Sequence, residues 1–206
     1  MHFKSIPFGI IKMIDYLIIY CHPFKGSFNH AILERVIQNL ENNHRSYEVI
    51  DLYQDHFMPV YDEEELHLFK EGKTQDPLVL KYLNLFQSVR QVIFITPIWW
   101  NDVPGMLKGF IDKVMKEGPG LSHTVTSKGV KGELTQIKQA IVFTTSTSPT
   151  LYYRFLCGNG IKKIFINKTL KQLGIKKGRW INFGNITHSS REQRIHFLNQ
   201  ISKMKL

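Results

Sequence analysis

Five short apolar runs alternate with amphipathic stretches along this chain, and that alternation leaves few folds open. Residues 15–20, 47–52, 91–97, 138–145 and 178–183 are β-rich and of strand length. Between and after them, residues 28–42, 63–70, 76–88, 104–116, 159–173 and 190–203 carry helical patterns. In the first helix, Phe28, Ile32, Leu33, Val36, Ile37 and Leu40 make one stripe, and Ser27 is a suitable N-cap. In residues 104–116, Met106, Leu107, Phe110, Ile111 and Val114 share a face, with Pro104 tolerated in the first turn. Ser189 and Glu192 are spaced as a capping box for the last helix. Residues 117–137, punctuated by glycine, read as a long loop. Strands that alternate with helices predict a parallel sheet covered on both faces. With five strands, the expected fold is an α/β three-layer sandwich of strand order 2-1-3-4-5.

The chain has 206 residues, enough for one domain with a substantial core. That domain is expected over residues 13–206, with 1–12 an N-terminal extension or Met13 the natural start. The opening MHFKSIPFGIIKM lacks the cleavage pattern of a secretory signal, and no apolar run reaches the ~20 residues of a membrane helix. Neither a linker nor a repeat interrupts the chain. Its two cysteines, without a C-x-x-C pair, exclude a disulfide scaffold and fit a reducing, cytoplasmic setting. The net charge of +10 is lopsided: residues 1–100 balance at −3 and residues 101–206 at +13. Such asymmetry suits nucleic acid, an acidic membrane surface or an anionic small molecule, and is equally what a set of solvated helix faces gives. The basic residues are dispersed and no nucleic-acid module is present, so nucleic acid is not the expected partner.

In open sheets of this order, ligands bind beyond the carboxyl ends of the strands, which singles out loops 21–29, 97–103 and 144–152. The first, CHPFKGSFN, leads into a helix N-terminus whose unpaired amides and dipole favour an anion. His22, Ser27 and Asn29 add side-chain donors, and Gly26 permits close approach; the loop suits a phosphate without matching a P-loop or G-x-G-x-x-G pattern. The second, PIWWNDVPGMLKG, places two adjacent tryptophans at a strand end. Regular alternation through both would turn one ring to the core and the other to a cleft, as a wall for a planar cofactor. Gly109, inside the following helix, implies a neighbouring element packed close against it. The third, TTSTSPTLYY, clusters hydroxyls and amides and is followed by Tyr152 and Tyr153. Cys21 and Cys157 have no adjacent basic partner and read as small buried hydrophobes.

Taken in order, HPFKGSFN, DLYQDHFMPVYDEEE, FITPIWWNDVPGMLKGFIDKV and FTTSTSPTLYY resemble the flavodoxin-like NAD(P)H:quinone oxidoreductases, a group that includes the DT-diaphorases, modulator of drug activity B and ancillary subunits of potassium efflux systems. The likeness runs from about Asp15 to the chain end and is most specific in P-x-W-W-x-x-V-P-x-x-L-K-G-x-x-D-x-V. It implies a two-electron, ping-pong flavoenzyme taking hydride from NAD(P)H through FMN or FAD to a quinone-like acceptor, and a homodimer. By the same resemblance, His22, Ser27, Phe28 and Asn29 hold the flavin phosphate. Pro97, Ile98, Trp99, Trp100 and Asn101 face the isoalloxazine, and Thr144, Thr145, Ser146 and Thr147 meet its pyrimidine edge. Tyr152 falls on the tyrosine that assists hydride transfer. The chain departs from the family in reading T-T-S-T where T-T-G-G is usual, and in having Gly158 where a histidine partners the tyrosine. A transporter-regulating subunit and a flavodoxin-type electron carrier are the alternatives; the basic second half argues against the carrier.

Overall fold

The computed structural model describes residues 13–69 and 71–206, so the expected extension at 1–12 lies outside the described residues. The elements, in chain order, are β1 (Ile14–Tyr20), α1 (Phe28–Asn42), β2 (Tyr47–Asp51), α2 (Glu63–Phe69), α3 (Pro77–Gln87), β3 (Val89–Pro97) and α4 (Gly105–Val114). Then come β4 (His123–Thr126), β5 (Gly129–Gly132), β6 (Gln139–Thr145), α5 (Thr150–Phe155), a π-helix (Ile161–Leu170), β7 (Gly178–Phe183) and α6 (Arg191–Ser202). β1, β2, β3, β6 and β7 pair in parallel in the order β2-β1-β3-β6-β7, which is the expected 2-1-3-4-5 once the small hairpin is set aside. Central β3 is apolar and almost wholly buried, as a strand covered on both faces must be. One face packs Val92 and Phe94 with Phe86, Phe110 and Phe165; the other packs Ile93 and Ile95 with Ile32, Val36 and Ile201.

Four details differ from the sequence reading. Residues 117–137 are not a plain loop: β4 and β5 form an antiparallel hairpin within them. The base of that segment is held at the amino ends of the strands, where Leu134 N donates to Leu173 O (3.0 Å) and Gln136 Nε2 to Phe86 O (2.8 Å). The capping box of α6 is Ser190 with Gln193, one residue later than Ser189 with Glu192; Ser189 instead accepts from Arg194 Nε and donates to Ile186 O. The helix expected at 159–173 is π-wound over Ile161–Leu170. Its buried residues, Ile161, Phe165, Ile166 and Leu170, recur every four to five positions, while Ile164 and Lys168 face solvent. That wider spacing keeps one stripe on the core only if the helix bonds i→i+5. An additional helix, α5, begins at Thr150, so Tyr152 and Tyr153 are helical. Gly109 meets its expectation: a Cβ there would stand 2.4 Å from the carbonyl oxygen of Pro59, which only glycine permits.

Candidate flavin site at the carboxyl edge of the sheet

The three loops beyond the carboxyl ends of β1, β3 and β6 come together. Asn29 Nδ2 donates to Thr145 Oγ1 (2.8 Å), tying the first loop to the third. Ile98 N donates to Thr145 O (2.8 Å), tying the second to the third. The His22 and Trp99 rings meet edge-on with centroids 6.3 Å apart, joining the first to the second.

In the first loop, Ser27 caps α1, its hydroxyl accepting from His30 N (3.1 Å). Among the described residues no acceptor takes the N–H of Lys25, Gly26, Phe28 or Asn29. His22 Nδ1 accepts from Phe24 N (3.1 Å), so the ring proton sits on Nε2, and burial holds the imidazole below its usual pKa and hence neutral. The loop thus presents a turn of free amides and a neutral imidazole donor, the combination an anionic phosphate needs. Asn29 is buried, and its Oδ1, like that of Asn159, has no hydrogen-bond partner among the described residues. An orphaned acceptor at this depth asks for a donor from outside the chain. The sugar-alcohol hydroxyls of a flavin nucleotide are such donors, and its phosphate suits the amides beside them, so the residues present fit the group.

The second loop does not continue the strand. β3 ends at Pro97, and Trp99 and Asp102 exchange both backbone hydrogen bonds (3.0 and 3.1 Å) around a two-residue turn. Trp100 and Asn101 at its tip have φ of +50° and +67°, the pairing of a type I′ turn. The expected alternation of the two rings therefore fails: Trp99 is 43% and Trp100 99% exposed, and neither enters the core. Pro97 and Ile98 are buried beneath them. Asn101 Oδ1 lies 3.6 Å from the Cys157 sulfur, fastening this turn to the end of α5.

The third loop is held from the edge strand. Asn182 on β7 accepts from Thr144 Oγ1 (2.7 Å) and donates to Ser146 Oγ (2.9 Å) and Thr150 Oγ1 (3.0 Å). Trp180 Nε1 also donates to Thr144 Oγ1 (2.8 Å). Thr144, Thr145 and Ser146 are buried with their hydroxyls committed, and Thr147 is exposed. Their side chains therefore brace the loop. Asn182 and Trp180 went unnoticed in the sequence because they lie on a strand rather than in a loop.

Tyr152 faces outward and Tyr153 is buried in the core, so the exposed phenol is the one expected. Its hydrogen bond with Cys157 raises the Tyr152 pKa and keeps the phenol protonated. Of the cysteines, Cys21 is buried and burial pushes its thiol up to about 12, as an inert core residue requires. Cys157 is no buried hydrophobe: it is half-exposed between Tyr152 and Asn101.

A family described as having the flavodoxin-like fold matches residues 15–203. The chain belongs to that family. It is 28% identical over 201 residues to an uncharacterized NAD(P)H oxidoreductase of Haemophilus influenzae, covering 94% of this chain and 96% of that one. It matches an FMN-dependent NADH:quinone oxidoreductase of Clostridium acetobutylicum at 30% over 134 residues, 64% of this chain and 66% of the relative. It spans 55% of the rat NAD(P)H dehydrogenase [quinone] 1, with 28% identity over 155 residues and 66% of this chain covered. A crystal structure from Streptococcus mutans superposes with a TM-score of 0.77 at 30% identity, covering 92% of this chain and 97% of that one. These relatives bear out the resemblance seen in the loops.

Proposed function

We propose that this oxidoreductase binds FMN at the carboxyl edge and carries hydride from NAD(P)H to a quinone-like acceptor. The observation that carries the reading is the orphaned Asn29 Oδ1, buried where three ligand-ready loops converge. The names of the relatives support it: NAD(P)H oxidoreductase for the bacterial protein, FMN and quinone for the clostridial one. A bound flavin supplies the redox chemistry, accepting a hydride and passing it on. The residues of this chain do the rest. His22, Ser27 and the amides of Lys25, Gly26, Phe28 and Asn29 hold the phosphate. Asn29 orients the polyol, and Trp99 and Trp100 wall off the ring system. The backbone of Thr144 to Thr147, braced by Asn182, meets its polar edge. Tyr152 keeps a proton available for charge that develops on the acceptor.

FAD is the second reading, and a specific feature favours it. An open cleft of roughly 510 Å³ between the end of β7 and α6 is floored by Phe183 and Phe197. Phe28, beside the phosphate loop, packs on both rings at 4.8 and 6.1 Å. An adenosine has room there. Heat-released flavin, separated by chromatography, decides between the two; protein that takes up neither flavin in a fluorescence titration rejects the reading outright. A homodimer belongs to the same proposal, since exposed Leu151, Phe155 and Leu156 beside Tyr152 offer an apolar face to a second copy. A 24.1 kDa species in light scattering would exclude it.

A further inference from the structure

The basic excess of the second half does not gather at the flavin site. A parallel sheet brings the amino ends of all its strands to one edge, and several of these cations stand there together with Arg45 and Arg90 of the first half. Arg90 opens β3, and its carbonyl accepts from Lys138 N (2.8 Å). Lys138 leads into β6, and Lys177, leading into β7, accepts from Ala140 N (2.9 Å). Arg179 on β7 reaches the carbonyl of Lys205 (3.4 Å), placing the end of the chain on the same edge. Arg45 precedes β2, where Ser46 O accepts from Tyr16 N (3.0 Å). A cleft of about 390 Å³ opens here between Arg45, Lys203 and Lys205, with Leu206 also in its wall.

All of these cations are exposed, and among the described residues none has a carboxylate within 4.0 Å. The facing acids are few and engaged. Asp15 accepts from Ser46 N and Oγ, which with Arg45 and Arg90 nearby keeps its pKa low. Glu41 accepts from Tyr47 Oη (2.7 Å), and Glu133 pairs with Lys131. Cations near helix C-termini answer the helix dipole, and α3 ends at Gln87, just before Arg90, but a pole of about half a charge does not balance a row of cations without carboxylate partners.

We propose that this amino edge docks on an anionic phospholipid surface. Four inter-strand spacings make the row about 19 Å long, and helices flank it on both faces, so the edge is a blunt face rather than a ridge that enters a major groove about 12 Å wide. Among the described residues no exposed aromatic stands among the cations to stack a nucleobase; exposed Phe24, Trp99, Trp100, Tyr152 and Phe155 lie with the loops of the opposite edge or on α5. A plane of well-separated cations, mostly lysine, matches a lipid headgroup layer instead. Docked this way, the carboxyl edge points to solution and the site stays open.

The test is flotation of the full chain with phosphatidylcholine vesicles, with and without 30% phosphatidylserine. Anionic vesicles should carry the protein at least ~10-fold better than neutral ones, with binding lost in 0.5 M salt, since each cation near such a surface contributes about fivefold. The triple reversal Arg90→Glu, Lys138→Glu, Lys177→Glu should abolish flotation. A carboxyl-edge reversal, Lys108→Glu with Arg191→Glu, should leave it within about twofold. Thermal melts of both variants report whether each folds. Equal binding to neutral and anionic vesicles, or equal flotation of both folded variants, overturns the proposal. So does tighter binding to duplex DNA than to vesicles at the same salt. None of these readings depends on whether flavin is bound.

Discussion

Two polar clusters in this molecule differ in how completely they are bonded. Beneath α2 and α4, Lys116 is fully buried, its Nζ 3.0 Å from Glu65 Oε2 and stacked on the rings of Tyr61 and Phe69. Glu65 Oε1 accepts from Thr74 Oγ1 (2.8 Å) and Gln75 N (2.6 Å). Lys113 Nζ lies 2.9 Å from Asp76 Oδ2 and donates to Met58 O (3.1 Å). No buried side-chain polar atom of this cluster lacks a partner among the described residues, whereas at the carboxyl edge Asn29 Oδ1 does. The saturated cluster has nothing left to offer a ligand and serves to lock α2, α3 and α4 together. The unsaturated one is where a second molecule belongs.

Breaking the saturated cluster should cost most. Lys116→Met leaves the Glu65 carboxylate buried without its cation, and urea unfolding should register a loss of about 3–5 kcal/mol. Flavin affinity per folded molecule should not change. The same pair sets an acid limit. Burial alone would raise the Glu65 pKa, but the hydrogen bonds from Thr74, the Gln75 amide and Lys116 outweigh it and bring it from 4.5 to about 2. A depressed carboxylate stabilises the fold above its unfolded pKa, so stability should decline as pH falls from about 4.5 toward 2. Denaturant midpoints across that window check it, and a flat profile would mean the pair is solvated.

Breaking the unsaturated cluster should do the reverse. Asn29→Ala removes one hydrogen bond within the chain and the acceptor meant for a ligand. The flavin dissociation constant should rise about tenfold to a hundredfold, with a stability loss of only ~1 kcal/mol. If fluorescence titration shows unchanged affinity, the orphaned oxygen serves nothing and the comparison between clusters fails.

Tyr152 and Tyr153 sharpen it within one helix. Tyr152→Phe should lower quinone reduction by roughly tenfold to a hundredfold without altering flavin content. Tyr153→Phe, in the core, should leave turnover near that of the parent. Equal rates in both variants would assign no proton-holding role to the exposed phenol.

The sequence made the scaffold more legible than the site. Strand positions came through because β-branched runs such as Val92–Ile95 are covered on both faces whatever the loops do. In the first loop Ser27 was legible as a cap, since it acts through short-range geometry at one helix N-terminus, whereas the bond from Asn29 to Thr145, 116 residues away, was not. The turn at Trp100 was not, because strand alternation says nothing about where a strand stops, and neither tryptophan is a residue that favours positive φ. Asn182 was hidden for a different reason: it acts across strands, on Thr144, 38 residues away. The winding of Ile161–Leu170 was written in its wide apolar spacing, which a 3.6-residue template absorbs as a poor α-helix.

The smallest effect concerns Trp100, where strain and exposure coincide. A bulky residue at φ +50° costs of order 1 kcal/mol, and a ring that is 99% exposed returns no packing energy within this chain. Glycine at that position relieves the backbone but raises the entropy of the unfolded chain by a similar ~0.5–1 kcal/mol. The two nearly cancel, so Trp100→Gly should change stability by less than about 1 kcal/mol in dilute solution. Flavin affinity should fall by no more than a few fold, because Trp99 keeps its place beside His22. What should change is the acceptor KM, which rises when the outer wall of the site is gone. Melts at low and high protein concentration separate the remaining possibilities. A loss above ~2 kcal/mol that appears only at high concentration means that a second copy buries the ring, and the strain at Trp100 then belongs to the assembly rather than to the single chain.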